Sequence, residues 1–559
     1  MSPQTAAVPP TSRSAAAVVE AVASLTGRAP SLRGGGLAGA QADGGTLLRA
    51  PTVSTGSVSP GDLFVALAGT RAHGARFAAD AVAAGARAVL TDEAGASLLG
   101  SLPPDVLVLV SDVADLRAVV GPLAAWWYGD PVAQTASFAV TGTNGKTTTT
   151  YVLDALGRLL GRRTGIVGTI EVRSGDRVVP SVLTTPEATD LQRFFAEMRA
   201  DGVTMTAMEV SSHALALHRV DGVRFDVAGF TNLTQDHLDF HGDLESYFAA
   251  KALLFTPEHA RRAVVCVDDP WGARLAREAT VPVASLATRA PEPGVEVRPD
   301  WEVREVVVDA GVSGATGATS FVVAHRDGRR VPVRSVLPGG FNVSNVALAV
   351  VMLVESGVEA TALADVLAAA GPLDPRVPGR MELVGEEPRT VVDFAHNPDA
   401  LSLALRALRP TTRGRLVVVF GATGERDRSK RPIMGRVAAE LADVVVVTDD
   451  DPHGEPAGPV RSAVLEGARA VVRAVTPDIR EISPRERAIR ETIAAAGADD
   501  TVLVAGRGHE TTQDVAGVHR PLDDRVEARA ALASRAARAA GHRETEPAHP
   551  TDGSWEGPR

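Results

Sequence analysis

Short apolar runs alternate with Ala-rich stretches of helical spacing along most of the chain, the βα alternation of a parallel sheet with covering helices. A first group of runs at 63–67, 86–90 and 106–110 predicts a small α/β domain over 46–131, closed by the turn Gly129-Asp130-Pro131. A second region, 132–373, opens with a strand at 138–140 and a helix over 149–160. Within it 290–300 is a loop carrying Pro and Glu, and the pattern over 303–336 predicts antiparallel strands. The third region, 374–540, has the most continuous apolar runs, at 415–420, 444–448 and 501–505, as expected for strands covered on both faces. Residues 1–45, rich in Ala, Gly, Pro and Ser, read as a disordered leader, and 541–559 as a disordered polar tail. The fold class is α/β in three domains.

Composition narrows the picture. A chain of 559 residues with 45% hydrophobic and 22% charged content is that of a multidomain soluble protein. The polar, Pro-containing N-terminus lacks the apolar segment of a signal peptide, and no uncharged run would span a bilayer, so a cytoplasmic location without membrane insertion is expected. Cys266 is the only cysteine, which excludes an intramolecular disulfide and a Cys-rich zinc site. A net charge of −11 argues against a nucleic-acid surface. Among 57 cationic side chains only Lys146, Lys251 and Lys430 are lysines. These are candidates for work arginine cannot do, as a compact point charge or as an amine that gives up its proton.

The segment Gly142-Thr143-Asn144-Gly145-Lys146-Thr147-Thr148 lies between a predicted strand and a predicted helix. Glycines there let backbone N–H groups close on phosphate at a helix N-terminus. Lys146 would reach the terminal phosphates and the Thr147 hydroxyl would ligate Mg²⁺. Val140 stands where the standard P-loop spacing has its first glycine, so this is a shorter G-x-x-G-K-T-T form.

That form resembles the Mur ligases and their relative folylpolyglutamate synthetase. Further motifs recur in the same order: Glu209-Val210-Ser211-Ser212-His213, Asn232 to Asp239, Tyr247 to Lys251, Phe341 to Asn345, Gly379 to Glu382 and Asp393 to Pro398. The resemblance covers roughly 50–535. It implies an N-terminal UDP-binding domain, a central P-loop ATPase domain and a C-terminal Rossmann-like domain. It also implies a C–N ligase that uses ATP to phosphorylate a carboxylate, which an amine then attacks. On that resemblance Glu209 and His237 are Mg²⁺ ligands, and Lys251 carries a CO₂-derived carbamate that becomes a further ligand. Asn342 and Asn345 would lie near adenine, and Arg380 and Asp393 would be nucleotide contacts. Pro60-Gly61-Asp62-Leu63-Phe64, in a domain that folylpolyglutamate synthetase lacks, favours the Mur ligases. A P-loop switch that hydrolyses ATP without an acceptor would leave the Lys251 motif unexplained.

Within the family, three segments resemble the MurE branch, which adds a third amino acid to UDP-MurNAc-L-Ala-D-Glu. Thr184-Thr185-Pro186-Glu187, with Thr55, Ser211 and Arg219, would contact the UDP-sugar dipeptide. Arg426, within 424–432, would meet the free diamino acid, as would Gly506 and Glu510 of Gly506-Arg507-Gly508-His509-Glu510. Branch members specific for meso-diaminopimelate carry D-N-P-R in this pocket, where this chain has Asp450-Asp451-Pro452-His453. A mostly neutral His cannot replace a bidentate Arg, and an added Asp451 would suit a lone ammonium. The expectation from these residues is therefore L-lysine or L-ornithine, with meso-diaminopimelate as the alternative. A monomer is expected.

Overall fold

The computed structural model describes residues 11–33, 46–69, 72–290, 297–309 and 317–544. The chain divides into two compact units, Met1–Arg376 and Val377–Arg559.

The first unit holds two main sheets. A five-stranded sheet has strands Pro51–Thr52, Leu63–Ala66, Ala88–Asp92 and Leu107–Ser111 in parallel register, with Ser31–Arg33 antiparallel at one edge. Residues 15–26, assigned to the disordered leader by composition, instead form a helix (Ala15–Thr26). Ser14 accepts a hydrogen bond from the Ala17 amide at its N-cap, and Val18 and Val22 are fully buried against this sheet's core. Residues with the i, i+4 spacing of one apolar stripe pin a stretch that composition alone marks as low complexity. Residues 1–10, 34–45 and 545–559 of the expected leader and tail lie outside the described residues, as do 291–296 of the expected loop. The last helix continues to Glu544.

The second sheet has eleven strands. Its centre is parallel, with Ala136–Thr141 between Met205–Glu209 and Phe225–Phe230. Its far end is an antiparallel meander of Trp301–Asp309, Ala318–His325 and Arg330–Ser335, as the alternating pattern predicts. The helices Lys146–Leu159 and Gly340–Glu355 cover one face, and the second is apolar along nearly its whole circumference because it is buried within the core.

The second unit is a six-stranded sheet. Leu416–Phe420, Val444–Val447 and Thr501–Ala505 are parallel, fully buried strands, and Leu416–Phe420 lies between the other two. Functional loops leave the C-terminal ends of these strands, where an open parallel sheet presents its ligands. No helix among the described residues is long and apolar enough to cross a membrane.

Candidate functional site

In the first unit the site grows from the end of strand Ala136–Thr141. The chain turns at 142–145 and enters the helix at Lys146. Gly145 sits at φ +92°, and a Cβ there would come within 2.3 Å of the Asn345 Oδ1, so the turn accepts only glycine. Asn345 Nδ2 donates to Asn342 Oδ1 at 3.1 Å, and Asn342 donates to the Pro338 carbonyl at 2.8 Å. Asn342 and Asn345 thus back the loop from the buried helix. Asn144 is fixed from the opposite side, its amide donating to Asn232 Oδ1 at 3.0 Å and its carbonyl accepting from the Thr231 hydroxyl at 2.7 Å. Lys146 Nζ donates to the carbonyls of Gly142 and Thr143, both at 2.9 Å.

Two buried groups meet this loop. Glu209, fully buried at the end of its strand, accepts from the Thr147 hydroxyl at 2.8 Å, the Thr169 amide at 2.7 Å and the Thr169 hydroxyl at 3.0 Å. Thr169 belongs to no motif quoted above; only the fold brings it to Glu209. Lys251 is 1% exposed and donates to the Gly142 carbonyl at 2.8 Å. Its helix, Leu244–Ala252, is capped by Asp243, and Tyr247, one turn earlier, places its ring 4.5 Å from the Lys251 amine. The Tyr247 hydroxyl lies 3.3 Å from Thr143 Oγ1. Burial, and then the charge of Lys146, hold the Lys251 amine far below the ordinary lysine range, which favours its uncharged form.

His237 has left-handed backbone (φ 55°) and packs edge-on against His213 at 4.9 Å and Tyr247 at 6.1 Å between ring centroids. Thr184 and Thr185 lie beside Glu209. The Thr184 hydroxyl lies 3.1 Å from the Thr169 hydroxyl, to which it can donate, and the Thr185 hydroxyl donates to the Glu209 carbonyl at 2.9 Å and accepts from the Ser211 amide at 3.1 Å. Arg219 donates to the Thr185 carbonyl at 3.2 Å and pairs with Glu187 at 2.9 Å. Thr55 stands on the turn Thr55–Ser57 of the five-stranded sheet.

In the second unit, Asp393 accepts from the amides of Met381 and Ala395 at 2.7 and 3.0 Å, and the Arg380 guanidinium lies over the Phe394 ring at 4.0 Å. The stretch 424–432 is partly exposed and partly buried. Arg431 is buried and forked onto Glu455 at 2.9 and 2.7 Å, which pulls that carboxyl down to about 2. Lys430 donates to the His396 carbonyl at 3.0 Å, while Arg426 is exposed.

Asp450, Asp451, Pro452 and His453 leave the strand Val444–Val447 opposite Gly506 and Glu510. Asp450 accepts from Thr423 at 3.2 Å; burial works to raise its carboxyl, but Arg485 and Arg507 outweigh that and hold it low. A Cβ on Gly506 would fall 2.5 Å from Asp450 Oδ2. Burial, and next the charge of Asp450, push Glu510 up to about 8.

One expectation is corrected here. Asp451 was to offer a free negative charge to the ammonium of lysine or ornithine. Instead it is ion-paired to Arg507, a fully buried side chain that also donates to the Thr512 carbonyl. His453 is likewise tied to Asp514 at 2.9 Å. Nothing in the local sequence marks this pair, because Arg507 lies 56 residues from Asp451.

Known proteins resemble this chain along most of its length. Residues 52–125 match the Mur ligase family catalytic domain, 140–353 the Mur ligase middle domain and 379–508 the Mur ligase glutamate ligase domain. The chain is 44% identical over 492 residues to the UDP-N-acetylmuramoyl-L-alanyl-D-glutamate–2,6-diaminopimelate ligase of Streptomyces coelicolor, covering 88% of this chain and 93% of that protein. It is 44% identical over 482 residues to the UDP-N-acetylmuramyl-tripeptide synthetase of Leifsonia xyli, covering 86% and 90%. A solved UDP-N-acetylmuramoyl-L-alanyl-D-glutamate–2,6-diaminopimelate ligase superposes with TM-score 0.57 at 28% identity, covering 88% of this chain and 95% of that one.

Proposed function

Because the chain belongs to the Mur ligase family of ATP-dependent peptidoglycan ligases, we propose that it joins meso-diaminopimelate to the glutamyl carboxylate of UDP-MurNAc-L-Ala-D-Glu in the cytoplasm. The γ-phosphoryl group of ATP passes to a carboxylate oxygen of the dipeptide and ADP leaves. The amine nitrogen of the diamino acid then attacks the acyl carbon, and inorganic phosphate departs as the amide forms. A carboxylate is a poor electrophile, and both steps build up negative charge, so the groups around the P-loop carry the catalysis.

Lys146 and the 142–148 backbone hold the phosphates, and Asn342 and Asn345 keep that loop in shape. Thr184, Thr185, Ser211 and Arg219 orient the dipeptide beside Glu209, and Thr55 serves its uridine end. Arg380 and Asp393 would contact the nucleotide. Thr147, Glu209, His237 and a carbamylated Lys251 would hold Mg²⁺, which takes oxygen ligands from a few side chains together with substrate phosphates and offsets their charge. The residues fit that role: a buried carboxylate bonded to Thr147, and a buried amine favoured in the uncharged form that reacts with CO₂. Arg426, Asp450, Asp451, Pro452, His453, Gly506 and Glu510 form the amino-acid pocket.

The observation that carries the reading is the convergence of Glu209 and Lys251 on one phosphate loop. The Asp451–Arg507 pair and the names of the relatives favour meso-diaminopimelate over L-lysine. The test is phosphate release from ATP and Mg²⁺ with UDP-MurNAc-L-Ala-D-Glu and, in turn, meso-diaminopimelate, L-lysine and L-ornithine. Release that needs the dipeptide and meso-diaminopimelate is expected. Dependence on L-lysine alone would overturn the choice of amino acid, and release indifferent to every acceptor would overturn the ligase.

A further inference from the structure

Arg485 and Asp524 are both fully buried and belong to none of the segments discussed so far as binding or catalytic. The Arg485 guanidinium is bidentate to Asp524, with Nε to Oδ1 at 2.8 Å and Nη2 to Oδ2 at 2.6 Å. Two further N–H groups go to backbone carbonyls, Nη1 to Asp449 at 3.1 Å and Nη2 to Ala505 at 2.8 Å. Asp449 immediately precedes Asp450, and Ala505 immediately precedes Gly506. The strands that end there, Val444–Val447 and Thr501–Ala505, are not neighbours, because Leu416–Phe420 separates them. One planar side chain therefore spans the middle strand and ties together the two loops that bear the amino-acid pocket.

Stability is a poor explanation for such a group. Arg485 is the first residue of the helix Arg485–Ala495, where the helix dipole disfavours a cation. A fully buried ion pair also gains little over well-packed apolar side chains of the same volume. What only arginine supplies is a rigid fork of directed donors. Ser483 adds a second tie to the same loop, its hydroxyl donating to Asp449 Oδ2 at 2.6 Å.

We propose that Arg485, oriented by Asp524, is a positioning residue of the amino-acid pocket: it fixes the spacing of Asp450 and Gly506 so that the incoming diamino acid is held for attack. This rests on the pocket reading above. The fork requires both carbonyls at once, so relaxing it lets the two loops drift apart without touching the phosphate loop of the first unit.

The experiment measures steady-state kinetics of Arg485→Lys and Asp524→Asn in the full-length enzyme, with folding checked by circular dichroism. The Michaelis constant for the diamino acid is expected to rise about tenfold or more, while that for ATP stays within about twofold. A fall in kcat with every Michaelis constant unchanged would show a merely structural role and overturn the proposal. Should neither variant fold, Ser483→Ala loosens the same loop; a smaller rise confined to the diamino acid is expected there, and no rise overturns the idea. Wild-type enzyme whose phosphate release ignores the amine would overturn the pocket reading and this proposal together, whereas an amine-dependent wild type with unaltered variants would overturn this proposal alone.

Discussion

The phosphate loop and the amino-acid pocket are built on opposite plans. The loop is one continuous segment whose shape comes from backbone, from glycine at Gly145 packed against Asn345, and from hydrogen bonds to neutral side chains such as Asn232 and Thr231. The ionisable groups Lys146, Glu209 and Lys251 approach it. The pocket gathers side chains from 423, 449–453, 485, 506–510 and 524, and holds them by two ion pairs, Arg507 with Asp451 and Arg485 with Asp524, and by the hydrogen bond of His453 with Asp514. A backbone-built site tolerates changes around it but not changes of its own charged groups. A site built from paired charges fails wherever one partner goes, because the other is left buried without compensation.

The largest contrast should come from the phosphate side. Lys251→Ala is expected to cost about a thousandfold or more in rate, unrescued by bicarbonate, with the fold intact by circular dichroism. Near-wild-type turnover would remove the carbamate from the mechanism. Arg507→Ala should reverse that pattern, unfolding the second unit about 3–5 kcal/mol more easily in denaturant titrations. Asp451→Asn keeps a hydrogen-bond acceptor for Arg507, so the preference for meso-diaminopimelate over L-lysine should move by less than about tenfold. A swing to lysine rejection would mean that Asp451 meets substrate after all. The finest effect concerns pH. Glu510, pushed up to about 8, keeps its proton in the folded state while the unfolded chain loses it near 4.5. Stability attributable to it is thus full below about 4.5 and is lost as pH rises towards about 8. Urea titrations of Glu510→Gln should accordingly fall off less steeply with pH than wild type across that window.

Legibility in the sequence follows the same division. The phosphate loop could be read directly because its glycines, lysine and threonines are contiguous and each has a local physical reason. The buried strands 416–420, 444–447 and 501–505 were equally plain, since a strand covered on both faces must be apolar throughout. Asp451 was misread because a charge looks free until its partner is known, and Arg507 lies 56 residues on. Thr169 escaped notice for the same reason: its contact with Glu209 spans 40 residues and leaves no local mark. The first helix was lost to composition, its Val18 and Val22 stripe diluted by alanine. Spacing encodes what lies within a turn or a strand, and pairing between distant loops has no such code.

The scarcity of lysine has a practical consequence. Lys146 lies in the phosphate loop, Lys251 beneath it and Lys430 against the His396 carbonyl. An amine-selective acylating reagent therefore finds no side-chain target on this molecule outside those three places. Lys251 and Lys430 are buried and Lys146 is only half-covered, so labelling should begin at Lys146 and slow when nucleotide fills the loop. The same chemistry that scatters across the surface of an ordinary protein would act here as a footprint of nucleotide occupancy, read at a single side chain.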